Sequence, residues 1–322
     1  MAGEDPLASW NETETKQALL GFVEKVCRID GPDYVPPAER IATFDNDGTL
    51  WVEKMLYFQI LFTLDRVKEL LPEHPEWKDT EPFKTVLSGD PDALASIGEK
   101  GFEQILMATY GGESIDAYRA IARTWLRTAK HPRFDQPYIE LAYLPMIELM
   151  DYLRAHEFKV YIASAGGLEF MRSIAEEVYH VPPEKVIGSD FVTTYELREG
   201  KHVLIRNPTL FFDNNHANKP VGIHRRIGRR PIMAFGNSDA DFEMLEWVTE
   251  GDGLRLGAFV HHTDSAREWA YDRDSKMVGT LDKGLDEAPL RGWLLIDMKK
   301  DWKQMFSFEK KESIEVPALL KN

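Results

Sequence analysis

The residues with the clearest chemical potential are two aspartates set one residue apart, Asp45 and Asp47, in "FDNDGTLW". They close a short apolar run, Ile41 to Phe44, and are followed at once by Gly48 and Thr49. A carboxylate at the end of a buried segment is costly unless a cation, a metal or hydrogen bonds compensate it. Further polar groups stand beside similar apolar runs, Ser164 in "YIASAGG" and Asn237, Asp239 and Asp241 in "FGNSDADF", while Lys219 in "NNHANKPVGIHRR" opens a helix that leads to the latter run and can reach the same edge. Together they suit phosphoryl transfer, which asks for a nucleophile, an acid–base partner, a cation and donors for the moving oxygens. Asp45 can attack phosphorus and form an aspartyl phosphate, while Asp47 can protonate the leaving alcohol and later deprotonate water. The hydroxyls of Thr49 and Ser164, with the backbone N–H groups of Ala165, Gly166 and Gly167, are the donors. Lys219 supplies a point charge that screens nucleophile and phosphate from each other. Two carboxylates facing a phosphate dianion would repel it, so a hard, oxygen-loving ion such as Mg²⁺ is expected.

These groups meet only if the elements that carry them share one edge. The run Ile41 to Phe44 is short and ends in turn residues, which predicts a buried strand. "KVYIASAGG" from Lys159, "PIMAFGNSD" from Pro231, "LRLGAFVHH" from Leu254 and "WLLIDM" from Trp293 read the same way. Helical patterns separate them, in "LPMIELMDYLRAH", "GLEFMRSIAEEVYH" and "DADFEMLEWV". Strand and helix in alternation predict an α/β core with a mainly parallel sheet covered on both faces. In such sheets ligands sit just beyond the carboxyl ends of the strands, where Asp45, Ser164 and Asn237 fall. From Met55 to Tyr143 the alternation lapses and helical spacing recurs, best in "MLYFQILFTLDRVKELL" and "SIDAYRAIARTWLRTA". The expected organisation is therefore a core of residues 1–54 and 144–322 interrupted by a helical subdomain over 55–143. "DFVTTYELREGKHVLIRNPTLFF" predicts a β-hairpin around Gly200 followed by an extended segment.

The motifs, taken in order, resemble those of the haloacid dehalogenase-like superfamily of phosphohydrolases, most closely its phosphoserine-phosphatase-like branch. D-x-D-G-T from Asp45, Ser164 after the next strand, Lys219, and G-N-S-D-A-D-F from Gly236 carry the resemblance. It covers roughly residues 38–53 and 144–300, and the helical insertion matches by position alone, as a cap that selects small substrates. The resemblance implies a Rossmann-like core, with Asp45 as nucleophile and Asp47 as general acid/base. Ser164 and Lys219 would bind phosphate, and Asp45, Asp47 through its backbone carbonyl, Asn237 and Asp241 would hold Mg²⁺. The implied activity is hydrolysis of a small phosphorylated metabolite through an aspartyl phosphate. A phosphomutase or phosphotransferase of the same superfamily is the alternative enzyme, and a non-catalytic metal-binding module the alternative outside catalysis. A dehalogenase has no use for the acid at Asp47. Two positions depart from the family pattern. Asn237 stands where an Asp is usual, which lowers the charge offered to a metal. Lys54 stands where phosphoserine phosphatases carry an acidic residue for the substrate amine.

Composition excludes several other classes. A net charge of -15, from 39 basic and 54 acidic residues in 322, opposes binding to nucleic acid or an anionic membrane. The lone Cys27 excludes an intramolecular disulfide and a cysteine zinc site, and no apolar run is long enough to span a bilayer. The N-terminal stretch lacks the basic-then-apolar pattern of a signal peptide. The sequence as it stands reads as cytoplasmic, or as exported if such a signal once preceded it. A calcium loop beginning at Thr43 puts a Gly sixth but a Lys twelfth, against the pattern for that ion. His216, His224, His261 and His262 lack metal-site spacing and read as surface or helix residues. Trp51, Tyr57, Phe58 and Phe62 could line a cation pocket, but their helical spacing favours core.

Overall fold

The computed structural model describes residues 5–90, 93, 94, 96–275 and 278–309. Strand β1 (Ile41–Phe44) is buried along its whole length, because neighbours flank it on both sides and helices cover both faces. It pairs in parallel with β2 (Lys159–Gly167) on one side and with β5 (Met233–Gly236) on the other. Strand β3 (Val186–Arg198) extends the sheet beyond β2 and β6 (Leu256–Thr263) extends it beyond β5, all in parallel. Strand β8 (Leu294–Asp297) also pairs in parallel with β6. Among the described strands only β4 (Lys201–Phe212), on β3, and the two-residue β7 (Ala270–Tyr271), on β6, run antiparallel. The order is β4-β3-β2-β1-β5-β6-β7. The chain travels outward from β1 to β3 and then returns to the far side of β1. That makes β1 the switch point, where a crevice opens beyond the strand ends.

Buried parallel strands read as unbroken apolar runs because both of their faces are covered. On one face Phe44 stacks on Phe235 at 4.4 Å, and Met146 and Leu149 of helix Leu144–Ala155 and Leu19 and Val23 of helix Glu14–Cys27 close the layer. The latter helix begins where Thr13 Oγ1 accepts the Lys16 N–H, an N-cap of the usual kind. The opposite face packs Ala163, Ala234 and Phe259 against Phe242 and Leu245 of helix Phe242–Thr249 and Ile223 of helix Asn218–Ile227.

Between β1 and β2 the described elements are helical: Phe58–Leu70, Phe83–Ser88, Gly98–Tyr110 and Ile115–Thr128. They build a small core of their own around Val67, Trp77 and Val86. They also join the main one, since Phe62 meets Phe170 at a centroid distance of 5.5 Å and Trp51 meets Phe58 at 4.8 Å. Trp51, Phe58 and Phe62 are thus core residues. Polar ties add to the packing: Gln59 Oε1 accepts the Gly167 N–H at 2.7 Å, and Arg123 pairs with Glu177.

Two local features differ from the sequence expectation. The hairpin turns at Glu199 and Gly200, both at positive φ, but its first strand starts at Val186, so Val186 and Ile187 belong to the parallel sheet. The stretch expected as one helix after Gly167 is two short ones, Leu168–Arg172 and Ala175–Tyr179. The chain kinks at Ile174 so that Tyr179 can return to the core beside Trp51. No helix among the described residues is long and apolar enough to cross a membrane.

Candidate active site

Register brings the motifs together. Phe44 is paired with Ile162 and with Phe235, so Asp45, Ser164 and Asn237 leave the sheet side by side. Asp45 and Ser164 do so at a cavity of about 530 Å³, and the buried Asn237 stands behind its lining. Asp45, Asp47, Ser164, Ala165, Gly166 and Lys219 line its floor, and Ile60, Leu106, Phe170, Met171, Phe191 and Leu210 line the wall above. The wall thus draws on the helical stretch and on the β3–β4 hairpin as well as on the strand ends.

The turn after β1 is set by Gly48, whose φ of 73° an L side chain rarely adopts. Its N–H donates to the Trp51 carbonyl at 2.9 Å, and Trp51 Nε1 donates to Asp47 Oδ1 at 2.8 Å. The other Asp47 oxygen faces Gly166, at 3.4 Å from where a Cβ there would stand. Burial raises the Asp47 carboxyl above the ordinary range, although the Trp51 bond opposes the shift. A group so placed can hold a proton and give it up.

Lys219 lies at the start of its helix with its ammonium almost wholly buried. The Nζ atom donates to Asp45 Oδ1 at 2.7 Å and to Asp241 Oδ1. Burial alone would depress the lysine, but the charges of Asp241 and Asp45 outweigh it and hold the ammonium above its usual value. Asp45 is pushed up to about 8, first by burial and then by the negative charge of Asp241, with Lys219 opposing. The second Asp241 oxygen accepts the N–H groups of Asn237 and Ser238 at 3.0 and 3.2 Å. Ser164 Oγ accepts the Gly166 N–H at 3.1 Å, shaping a loop whose backbone faces the cavity.

Three candidate residues have their side chains engaged in structural hydrogen bonds, Asp239 while it lines the cavity. Thr49 is fully buried and donates to Asn237 Oδ1 at 3.2 Å; a buried acceptor captures its hydroxyl. The Asn237 amide donates to Glu53 Oε1 at 2.7 Å. Asp239 accepts from the N–H groups of Asp282, Lys283 and Gly284 and so caps the helix Lys283–Arg291. Behind the turn stand residues that sequence patterns did not single out. Tyr271 donates to Glu53 at 2.7 Å, and Asn214 Nδ2 donates to the Ser164 carbonyl at 2.8 Å. His262, read as a surface or helix residue, is instead buried between the Gly48 carbonyl and Glu268. Burial alone would lower its pKa, but Glu268 and Glu53 raise it overall.

The donor set suits a hard cation. Three carboxylates, Asp45, Asp47 and Asp241, stand near a single ammonium that pairs with two of them, and burial first, then the negative charge of Asp241, raises the Asp45 carboxyl. Among the described residues no group of three or more His, Cys, Asp or Glu converges as a ready cage. Mg²⁺ needs none, since it is commonly held by one or two carboxylates together with water and substrate oxygens. Asp45 and Asp241, with the Asp47 carbonyl, fit that manner of binding. The Asn237 carbonyl is already engaged by Thr49.

The profile of the haloacid dehalogenase-like hydrolases matches residues 42–246. No curated protein matches the chain significantly. A solved protein of unknown function from Bordetella pertussis Tohama I shares the fold, with a TM-score of 0.50 and 16% identity over 81% of this chain and 99% of its own. A functionally unknown protein from Anaerococcus prevotii DSM 20548 aligns at a TM-score of 0.47 and 15% identity, over 87% and 100% of the two chains. A phosphoserine phosphohydrolase-like protein from Francisella tularensis subsp. tularensis SCHU S4 aligns at 0.41 and 13%, over 81% and 97%.

Proposed function

This chain belongs to the haloacid dehalogenase-like hydrolases, and from that membership we propose that it is a phosphomonoesterase acting on a small phosphorylated metabolite. The observation that carries the reading is the meeting of Asp45, Asp47, Ser164 and Lys219 on the floor of one cavity. In the first step an Asp45 oxygen bonds to phosphorus and the bond from phosphorus to the leaving oxygen breaks. Asp47, whose carboxyl is raised by burial, gives that oxygen its proton. In the second step Asp47 takes a proton from water, the water oxygen bonds to phosphorus, and the acyl phosphate bond breaks to release phosphate and restore Asp45. Lys219 and the N–H groups from Ala165 to Gly167 hold the phosphoryl oxygens. Mg²⁺, which the family generally uses, would be held by Asp45, Asp241 and the Asp47 carbonyl, and would supply charge neutralisation. Phosphate release from para-nitrophenyl phosphate and a panel of phosphorylated metabolites, with and without Mg²⁺, tests the reading. Release from none of them would overturn it.

Asp47→Asn separates the two steps. The para-nitrophenolate leaving group needs little protonation, so the variant should still form the acyl phosphate and then stall. The expected observation is one phosphoryl group added to the intact mass of the variant. Rapid steady turnover would remove Asp47 from the acid–base role.

The helices between β1 and β2 are read as a cap over this floor, and the wall they help to build is apolar. A leaving group without strong polarity should therefore bind best. Along the series from methyl to butyl phosphate, kcat/KM is expected to rise roughly three- to four-fold per methylene, from about 0.8 kcal/mol for each buried CH₂. A flat series would place the leaving group outside the wall.

A further inference from the structure

Asn237 faces a carboxylate. Glu53 Oε1 accepts from Asn237 Nδ2 and from the Tyr271 hydroxyl, both at 2.7 Å, and Glu53 and Asn237 are both almost fully buried. These bonds settle which way the amide points: its N–H₂ serves Glu53 and its oxygen serves the Thr49 hydroxyl at 3.2 Å. Two glycines make room for the contact. A Cβ on Gly48 would stand 2.0 Å from Asn237 Nδ2 and 2.6 Å from Glu53 Oε1, and one on Gly279 would stand 1.9 Å from the same Glu53 oxygen. Gly48 belongs to the turn that carries Asp47, and Glu53 itself borders the cavity. A carboxylate at position 237 would offer Glu53 no donor and would set two buried anions 2.7 Å apart, which repel strongly where water is excluded.

We propose that Glu53 is a positioning residue that supplies, one residue further out, the negative charge that Asn237 lacks, so that the two act as one carboxylate–amide unit fixing the turn that bears Asp47. Asparagine at 237 is then required by Glu53 and is not merely a weakened metal ligand. The activity readouts rest on the phosphomonoesterase reading; the stability readouts do not.

Exchanging the two chemistries tests the unit. The wild type, Glu53→Gln, Asn237→Asp and the double variant are compared by thermal unfolding in EDTA, and by kcat and KM on para-nitrophenyl phosphate with Mg²⁺. Compared at about pH 8.5, Asn237→Asp alone should lose the most stability, because a donor between the two carboxylates then exists only if the site takes up a proton from alkaline solvent. The double variant should melt above it, because the exchanged amide now donates to the exchanged carboxylate while Thr49 keeps its acceptor. Glu53→Gln alone should lower kcat by roughly 10- to 100-fold, the usual range for a residue that orients a site from behind, with KM changed by less than about three-fold. A double variant that melts at or below Asn237→Asp, or a Glu53→Gln variant with undiminished kcat, would overturn the proposal. If the wild type itself hydrolyses no phosphomonoester, the functional reading fails, and the order of melting temperatures in EDTA still decides the pairing.

Discussion

Asp45→Asn is expected to lower kcat by on the order of 10³-fold or more while leaving the fold intact, as removal of a nucleophile commonly does. An amide can still accept the Lys219 hydrogen bond that Asp45 Oδ1 now accepts at 2.7 Å, so the local packing has no reason to change. It cannot form the bond to phosphorus that starts the reaction. A second signature separates this loss from damage. The Asp45 carboxyl is raised to about 8 in the fold, chiefly by burial and next by Asp241, against about 3.9 in an unfolded chain. Between those values the folded protein binds a proton that the unfolded chain has released, so wild-type stability without metal falls as the pH climbs from about 4 to 8. The amide does not titrate. Asp45→Asn should therefore match the wild type in melting temperature near pH 4 and exceed it by pH 8.5, with activity lost at both. Melting curves in EDTA at the two pH values, beside turnover assays, check both parts. More than a few per cent of residual activity would remove Asp45 from its role, and a variant that melts below the wild type at pH 8.5 would contradict the electrostatic account.

The same electrostatics explain how much was legible in the sequence. Strands β1, β5 and β6 showed as short apolar runs because a central parallel strand has no solvent face to mark with polar residues, and β2 and the partly buried β8 at the sheet's edge showed the same way. Asp45 and Ser164 could be placed at one edge because each ends such a run and strand register does the rest, and Lys219 because it opens the helix that leads to the next strand. Val186 and Ile187 escaped because their apolar pair merges with the alternating pattern of the hairpin that follows. Glu53, His262, Tyr271 and Gln59 were invisible for another reason. Their roles depend on partners far along the chain, as with Tyr271, 218 positions after Glu53, and no local pattern encodes that pairing. The charge pattern at the motif offered a hint of its own: the unusual amide at Asn237 and an acid six residues after Asp47 are the two halves of one contact.

Lys219→Met should produce the largest loss of stability. The ammonium is about 1% exposed and stands between Asp45 and Asp241. Removing one member of a buried ionic group costs about 3–5 kcal/mol, because the partners stay buried without compensation. At about 2–4 °C per kcal/mol, the melting temperature of the metal-free protein should fall by roughly 10 °C at pH 8. The pH dependence follows from the charges that remain. The raised lysine pKa means that its contribution is complete at every pH below the unfolded value of about 10.4, and fades only as the pH rises through the folded value. The wild type therefore gains nothing from the lysine's titration in the neutral range. In the variant, two carboxylates face each other and must take up a proton, so the deficit should shrink as the pH falls toward 5. Asp241→Asn in the Lys219→Met background should recover much of the loss, because one of the stranded charges is then gone and its hydrogen-bonding shape remains. Such recovery is the non-additivity expected of groups in direct contact. Lys219→Arg should not substitute for the native residue. A planar guanidinium with its fixed fork needs more room than a compact ammonium in a slot that excludes solvent, and it would push Asp45 away from the cavity floor. The decisive comparison is the melting temperature of the four proteins in EDTA at pH 5 and pH 8, and a Lys219→Met variant within a degree of the wild type at pH 8 would mean that the lysine charge is not what holds Asp45 and Asp241 together.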